Sequence, residues 1–157
     1  MCKVYIYKML KAEIKKAKND ASLASKIDTD VLLEELTKNK HNHLEDKTNA
    51  DIINEMRDVL EFYELDVDTY LPRLIGYRFA GDLVDLVPGQ HVRWIRDQTL
   101  TNGGIYLGSS FTNTGTVLKI KLYAGRVVSV SMQNCIVFQK LSFGESVVLY
   151  ASDIINS

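Results

Sequence analysis

His41-Asn42-His43, with Glu45 and Asp46 close behind, is the stretch whose residue types come nearest to metal chemistry. Two imidazoles at i, i+2 and two carboxylates could supply ligands. A zinc site needs three or four donors at fixed spacing, and none follows here. The letters H-N-H are not the nuclease motif of that name, which spreads its residues over a ββα unit. A polar connection between helices accounts for the cluster. His91 beside Arg93 could touch phosphate, although a lone strand His is more often a surface residue. Nucleophile signatures are absent: there is no G-x-S-x-G and no phosphate-cradling loop. NGG (102–104) and TNTG (112–115) sit between strand patterns and read as turns. The carboxylates between Asp28 and Asp68 lie on helical patterns with an apolar opposite face, so a solvated face explains them better than an acid/base pair. The expectation is a non-enzyme with no cofactor and no metal.

Cations are the second chemistry on offer. Arg93, Arg96, Lys119, Lys121, Arg126 and Lys140 all fall in strand patterns or the turns beside them. With Tyr106, Phe111 and Tyr123 nearby they could bind phosphates and stack bases. The same set could meet the acidic surface of another protein. Residues 72–157 carry only eight bases against five acids, well short of a strongly basic domain. These six are the candidate partner-binding residues, with a protein partner expected first and nucleic acid second.

Glycine and proline locate the elements that must carry these residues. All nine glycines lie at or after Gly76, and both prolines at or after Pro72. Because these residues punctuate turns, the shift predicts a helical region over 1–71 and a β-rich region over 72–157. Charge segregates too. Residues 1–27 hold seven Lys against Glu13 and Asp20, and residues 28–71 hold thirteen acids against four bases. Such asymmetry points to contacts between segments or with a charged partner, or to two solvated helix faces of opposite sign.

The strongest helix is TNADIINEMRDVLEFYEL (48–65). Ile52, Ile53, Met56, Val59, Leu60 and Tyr63 form one apolar stripe, and Thr48 with Asp51 can cap the start. A shorter helix is expected over 30–38. Ile6, Leu10, Ile14 and Ala17 suggest a Lys-rich amphipathic helix near the N-terminus, which could lie on a membrane surface or acidic partner, but its apolar face is modest. The first 18 residues do not read as a signal peptide. No apolar run approaches the roughly 20 residues of a membrane span. Cys2 and Cys135 make no disulfide framework and suit a reducing, intracellular compartment.

Beyond Leu74 the patterns LIGYRFA, LVDL, HVRWIRD, GIYLG, TVLKIKLY, VVSVSM, CIVFQKL and SVVLY read as short strands. Val92 and Trp94 share one face, with His91, Arg93 and Ile95 on the other. Leu118, Ile120 and Leu122 point inward and Lys119 and Lys121 outward. Val128, Val130 and Met132 oppose Ser129 and Ser131. Pro88-Gly89 fits a type II turn. Ala124-Gly125-Arg126 reads as a hairpin turn. Many strands in so short a span, with no helix between them, predict a small antiparallel barrel.

The turn L-x-P-G-x-x-V-x-W-I begins the first long strand of many SH3-like barrels. Pro88, Gly89, Val92, Arg93, Trp94 and Ile95, then Gly103-Gly104, then Val128, Ser129, Val130, Asn134, Ile136, Phe138 and Lys140 resemble a group of barrel proteins of large DNA viruses. Val128 stands where an aromatic is usual. The resemblance covers at most residues 86–140 and brings no catalytic residues. It implies a virion or virus-factory protein of structural type, such as a minor capsid or capsid-associated component. The expected fold class is α+β, an N-terminal helical region followed by a small antiparallel SH3-like β-barrel.

Overall fold

Ile52, Met56 and Leu60 recur every fourth residue and are buried, one stripe of the helix α1 (Asn49–Phe62). The computed structural model describes Leu44 and residues 47–156. The expected helices over 30–38 and near the N-terminus, the His41/His43 cluster and Cys2 lie outside the described residues. The start of α1 is fixed as the sequence predicts. Asp51 N–H donates to Thr48 Oγ1 (3.2 Å) and Thr48 N–H to Asp51 Oδ2 (2.9 Å), a reciprocal capping box. Its end is a Schellman motif: Leu65 N–H donates to Leu60 C=O, Glu64 N–H donates to Glu61 C=O, and Glu64 sits at φ +58°. Tyr63 therefore leaves the apolar stripe and is exposed.

By contacts the chain divides into two units, residues 1–51 with 142–157, and residues 52–141. Composition places a shift at 71/72, whereas the contacts divide the chain inside α1. A short helix α2 (Val67–Tyr70), capped by Asp66, and a 3₁₀ turn Leu71–Leu74 started by Pro72 lead into the sheet.

The strands are β1 (Tyr77–Phe79), β2 (His91–Arg96), β3 (Thr99–Leu100), β4 (Gly104–Thr112), β5 (Gly115–Lys121), β6 (Val127–Ser131) and β7 (Ile136–Lys140). They form one sheet, β1-β7-β2-β4-β5-β6, with β3 added to β2 and every pair antiparallel. One face carries the core: Ala80, Leu86, Val92, Trp94, Tyr106, Leu118, Ile120, Val130 and Val137. Trp94 is thus a core residue. The predicted alternation holds for Leu118, Ile120 and Val130, while Leu122, Val128 and Met132 pack partly buried at the margin.

Turn geometry matches the turn residues. Gln90 N–H donates to Val87 C=O and Gly89 has φ +93°, as the Pro88-Gly89 turn requires. Asp97 and Gln98 are both left-handed in the two-residue loop between β2 and β3. Gly103 is fixed by close approach: a Cβ there would stand 1.9 Å from the Val92 carbonyl oxygen. Leu107 is the extra residue of a β-bulge, where the β4–β5 register steps from Tyr106↔Ile120 to Gly108↔Lys119.

Four expectations are corrected. SVVLY is not a strand; it lies in helix α3 (Phe143–Asn156). Glu145, Val148, Leu149 and Ser152 are buried at helical spacing. The start is another capping box, Glu145 N–H to Ser142 Oγ (3.1 Å) and Ser142 N–H to Glu145 Oε1 (3.1 Å). Asn49 also donates to Asp153 through its backbone N–H and its side chain. LVDL is a 3₁₀ turn (Leu83–Asp85), because Asp82 and Asp85 cap each other's backbone and compete with strand pairing. LIGYRFA contributes only Tyr77–Phe79 as strand. Ile95 is buried even though it alternates away from Trp94, because β2 and β7 bury residues on both faces; Phe138 does the same.

Candidate interaction surface

Lys119 and Lys121 project from β5 opposite Leu118 and Ile120, and both are exposed. The strand pairing gives them neighbours. Ile105, Lys121 and Val127 lie abreast on β4, β5 and β6, and Gly108, Lys119 and Ser129 lie abreast in the next row. Lys119 Nζ donates to Ser129 Oγ (3.0 Å). Leu107 is exposed between Ile105 and Gly108, at 46%, and Val127 at 52%. Arg126 precedes Val127 in the turn closed by Gly125 N–H to Leu122 C=O, and Tyr123 in that turn is fully exposed. Among the described residues the result is an exposed face on which three apolar side chains alternate with Lys119 and Lys121; Arg126 stands in the adjoining turn opposite Leu122, one alternation away from Val127.

The same row continues through the sheet. His91 pairs with Ile105, and Lys140 pairs with Tyr77. The β2–β7 register, with Val92 opposite Gln139, sets Lys140 beside His91. Lys140 is therefore three strands from Lys121, about 14 Å along the sheet at ordinary strand spacing. Tyr77 Oη and His91 Nδ1 are 2.9 Å apart. Burial pushes the Tyr77 phenol up, against the lowering effect of Arg93. Burial, then Lys140 and Arg93, push His91 down. Both shifts favour the uncharged forms, so the contact joins a protonated Tyr77 phenol to a neutral His91 imidazole.

Arg93 and Arg96 do not join this surface. Arg93 is a structural clamp: its Nε donates to Thr101 C=O (2.8 Å) and its Nη1 to Arg73 C=O (2.8 Å). Its guanidinium also lies 6.0 Å from the centroid of the Tyr77 ring. The planar fork of arginine suits two carbonyls held in fixed positions, which strand alternation alone does not reveal. Arg96 is exposed at the far end of β2, beside Asp97 at 3.7 Å. Of the six candidates, the fold sets Lys119 and Lys121 on one face and Lys140 on the same row as Lys121, leaves Arg126 in the adjoining turn, and sends Arg93 and Arg96 elsewhere.

Sequence reasoning missed Ile105, Leu107 and Val127. The signal was present in GIYLG, where apolar residues occupy both strand faces, and in the Val127-Val128 doublet. Phe111, one of the three rings offered for base stacking, is 77% exposed near the β4–β5 turn, and Tyr106 is buried in the core. Cys135 is partly buried and unbridged, and burial raises its thiol pKa.

Among the described residues no group of three or more His, Cys, Asp or Glu is placed to hold a metal, and no helix is long and apolar enough to cross a membrane. No protein-family model, curated protein or solved structure matches the chain.

Proposed function

We propose that the protein is a non-enzymatic structural or adaptor component that makes protein–protein contacts through the outer face of β4, β5 and β6. The observation that carries this reading is the composition of that face. Ile105, Leu107 and Val127 are exposed on that face, with Lys121 between Ile105 and Val127 and Lys119 in the next row. Solvated strand faces are ordinarily polar, and an apolar patch edged by charge marks contact with another macromolecule.

We also read the five strands β7-β2-β4-β5-β6 as an SH3-like barrel. Support comes from that strand order, from the single 3₁₀ turn Met132–Asn134 between β6 and β7, and from the bulge at Leu107, which bends β4. In its sharpest form the proposal makes the protein a minor capsid or capsid-associated component of a large DNA virus. That step rests on the sequence resemblance over 86–140.

A nucleic-acid-binding barrel is the second reading, favoured by the exposed Tyr123 ring between Lys121 and Arg126. One experiment separates the two. The protein is fractionated with its particle or complex before and after nuclease, and titrated with single- and double-stranded nucleic acid at two salt concentrations. The contact reading expects retention after nuclease and release on Lys119→Glu with Lys121→Glu. A free monomer in every fraction overturns it, as does nucleic-acid binding that weakens steeply with salt.

A further inference from the structure

A second surface complements the first within the same unit. The C-terminal turn of α1 presents Asp58, Glu61 and Glu64, with Asp68 in α2, all exposed. Between them Phe62 is 78% and Tyr63 54% exposed, packed edge to face at 5.0 Å. Arg57, the cation of this turn, is turned back onto Asn54 Oδ1 (3.0 Å). The Schellman motif forces the display: with Glu64 left-handed, the chain reverses and leaves both rings outside the apolar stripe. The tip is thus acidic with aromatic anchors, and the sheet face is cationic with aliphatic patches between its charges. Each is what the other needs: Phe62 and Tyr63 for Ile105, Leu107 and Val127, and the carboxylates for Lys119 and Lys121. Both are exposed among the described residues, so the tip does not lie on its own sheet face.

We propose that the acidic-aromatic tip of one copy docks on the cationic-apolar β4–β5–β6 face of a second copy of this chain. The proposal rests on the contact function above and names its partner. Tip and face are different patches, so the contact is head-to-tail. Two copies that exchange tips reciprocally close as a two-fold dimer; copies joined through one contact keep one free tip and one free face, and association continues into a ring or an open array. That geometry suits a component of a repeating assembly.

The test is sedimentation of the purified chain over a concentration series at about 50 mM and about 500 mM salt, where the screening length falls roughly threefold. Wild type is expected to form concentration-dependent oligomers that dissociate at high salt. Lys119→Glu with Lys121→Glu makes both patches acidic, and Asp58→Lys with Glu61→Lys and Glu64→Lys makes both basic, since three lysines then outweigh Asp68. Each variant alone is expected to be monomeric, and an equimolar mixture to associate again in alternation. Recovery in the mixture also shows that both variants are folded. A wild-type monomer, a single variant that still associates, or a mixture that stays monomeric overturns the proposal. Leu107→Ser is an independent check that keeps every charge, and it must weaken the oligomer. If self-association fails while the protein still joins a complex with other proteins, this inference falls and the contact function stands.

Discussion

Replacing Arg93 by Ala tests whether this cation serves the fold rather than a partner. Two hydrogen bonds are removed, to the carbonyls of Thr101 and Arg73, each at 2.8 Å. A bond from a charged donor contributes about 1.5–3 kcal/mol. Water can re-solvate the Arg73 carbonyl, whose bond is exposed, so the lower end applies there. The contact with Tyr77, at the outer limit of cation–π distance, adds about 0.5 kcal/mol. The expected loss is about 3.5–5 kcal/mol, which moves a urea midpoint by roughly 2 M for a domain of this size. Arg93→Lys should recover little, because an ammonium cannot span both carbonyls. Arg96→Ala is the control. Its pairing with Asp97 is exposed and belongs to the class worth well under 1 kcal/mol. The assay is equilibrium urea unfolding of the four proteins under one buffer. The reasoning is refuted if Arg93→Ala unfolds within about 0.5 kcal/mol of wild type, or if the two alanine variants lose equal stability.

Gly103→Ala should cost about 4 kcal/mol or more, because its Cβ would meet the Val92 carbonyl and its φ is +77°. Gly76→Ala, also left-handed but in open space, should cost only about 1–2 kcal/mol; comparable losses at the two sites would contradict the close approach. Ser142→Ala removes half of a capping box and should cost about 1 kcal/mol in urea, with a matching loss of α3 helicity by circular dichroism when temperature is raised. His91 is pushed below its ordinary value of 6.5, so the unfolded chain binds the proton more readily than the folded one. Stability from this site is therefore complete above pH 6.5 and falls as pH drops from there through the folded value. Urea midpoints from about pH 7.5 to about pH 5 should fall, and His91→Gln should flatten that part of the slope; a steeper slope in the variant would reverse the assignment.

The elements that the sequence disclosed are those with one clean period. TVLKIKLY alternates strictly, and Leu118 and Ile120 are in the core with Lys119 and Lys121 in water. The α1 start was legible because Thr48 and Asp51 sit three apart ahead of an apolar stripe. SVVLY misled because β-branched residues mimic a buried strand over five positions; S-F-G-E just before it was the capping signal that decides for helix. LVDL misled in the same way, since Asp82 and Asp85 satisfy the local backbone themselves. For the surface, residue type pointed to Lys119, Lys121 and Lys140, but strand pairing was needed to set Ile105 and Val127 abreast of Lys121. The carbonyl contacts of Arg93 were not legible because its partners, Arg73 and Thr101, come from segments that only the tertiary fold brings together.

The central claim is that the β4–β5–β6 face contacts protein, and a photo-activated crosslinking residue at Leu107 tests it most directly. The same residue at Val84, an exposed apolar position in the Leu83–Asp85 turn away from these strands, is the control. In cells that make the protein at its native level, position 107 is expected to give protein adducts that survive nuclease and vanish with Lys119→Glu and Lys121→Glu, while position 84 gives none. Adducts from position 107 that nuclease removes, or equal protein adducts from both positions, would contradict the account.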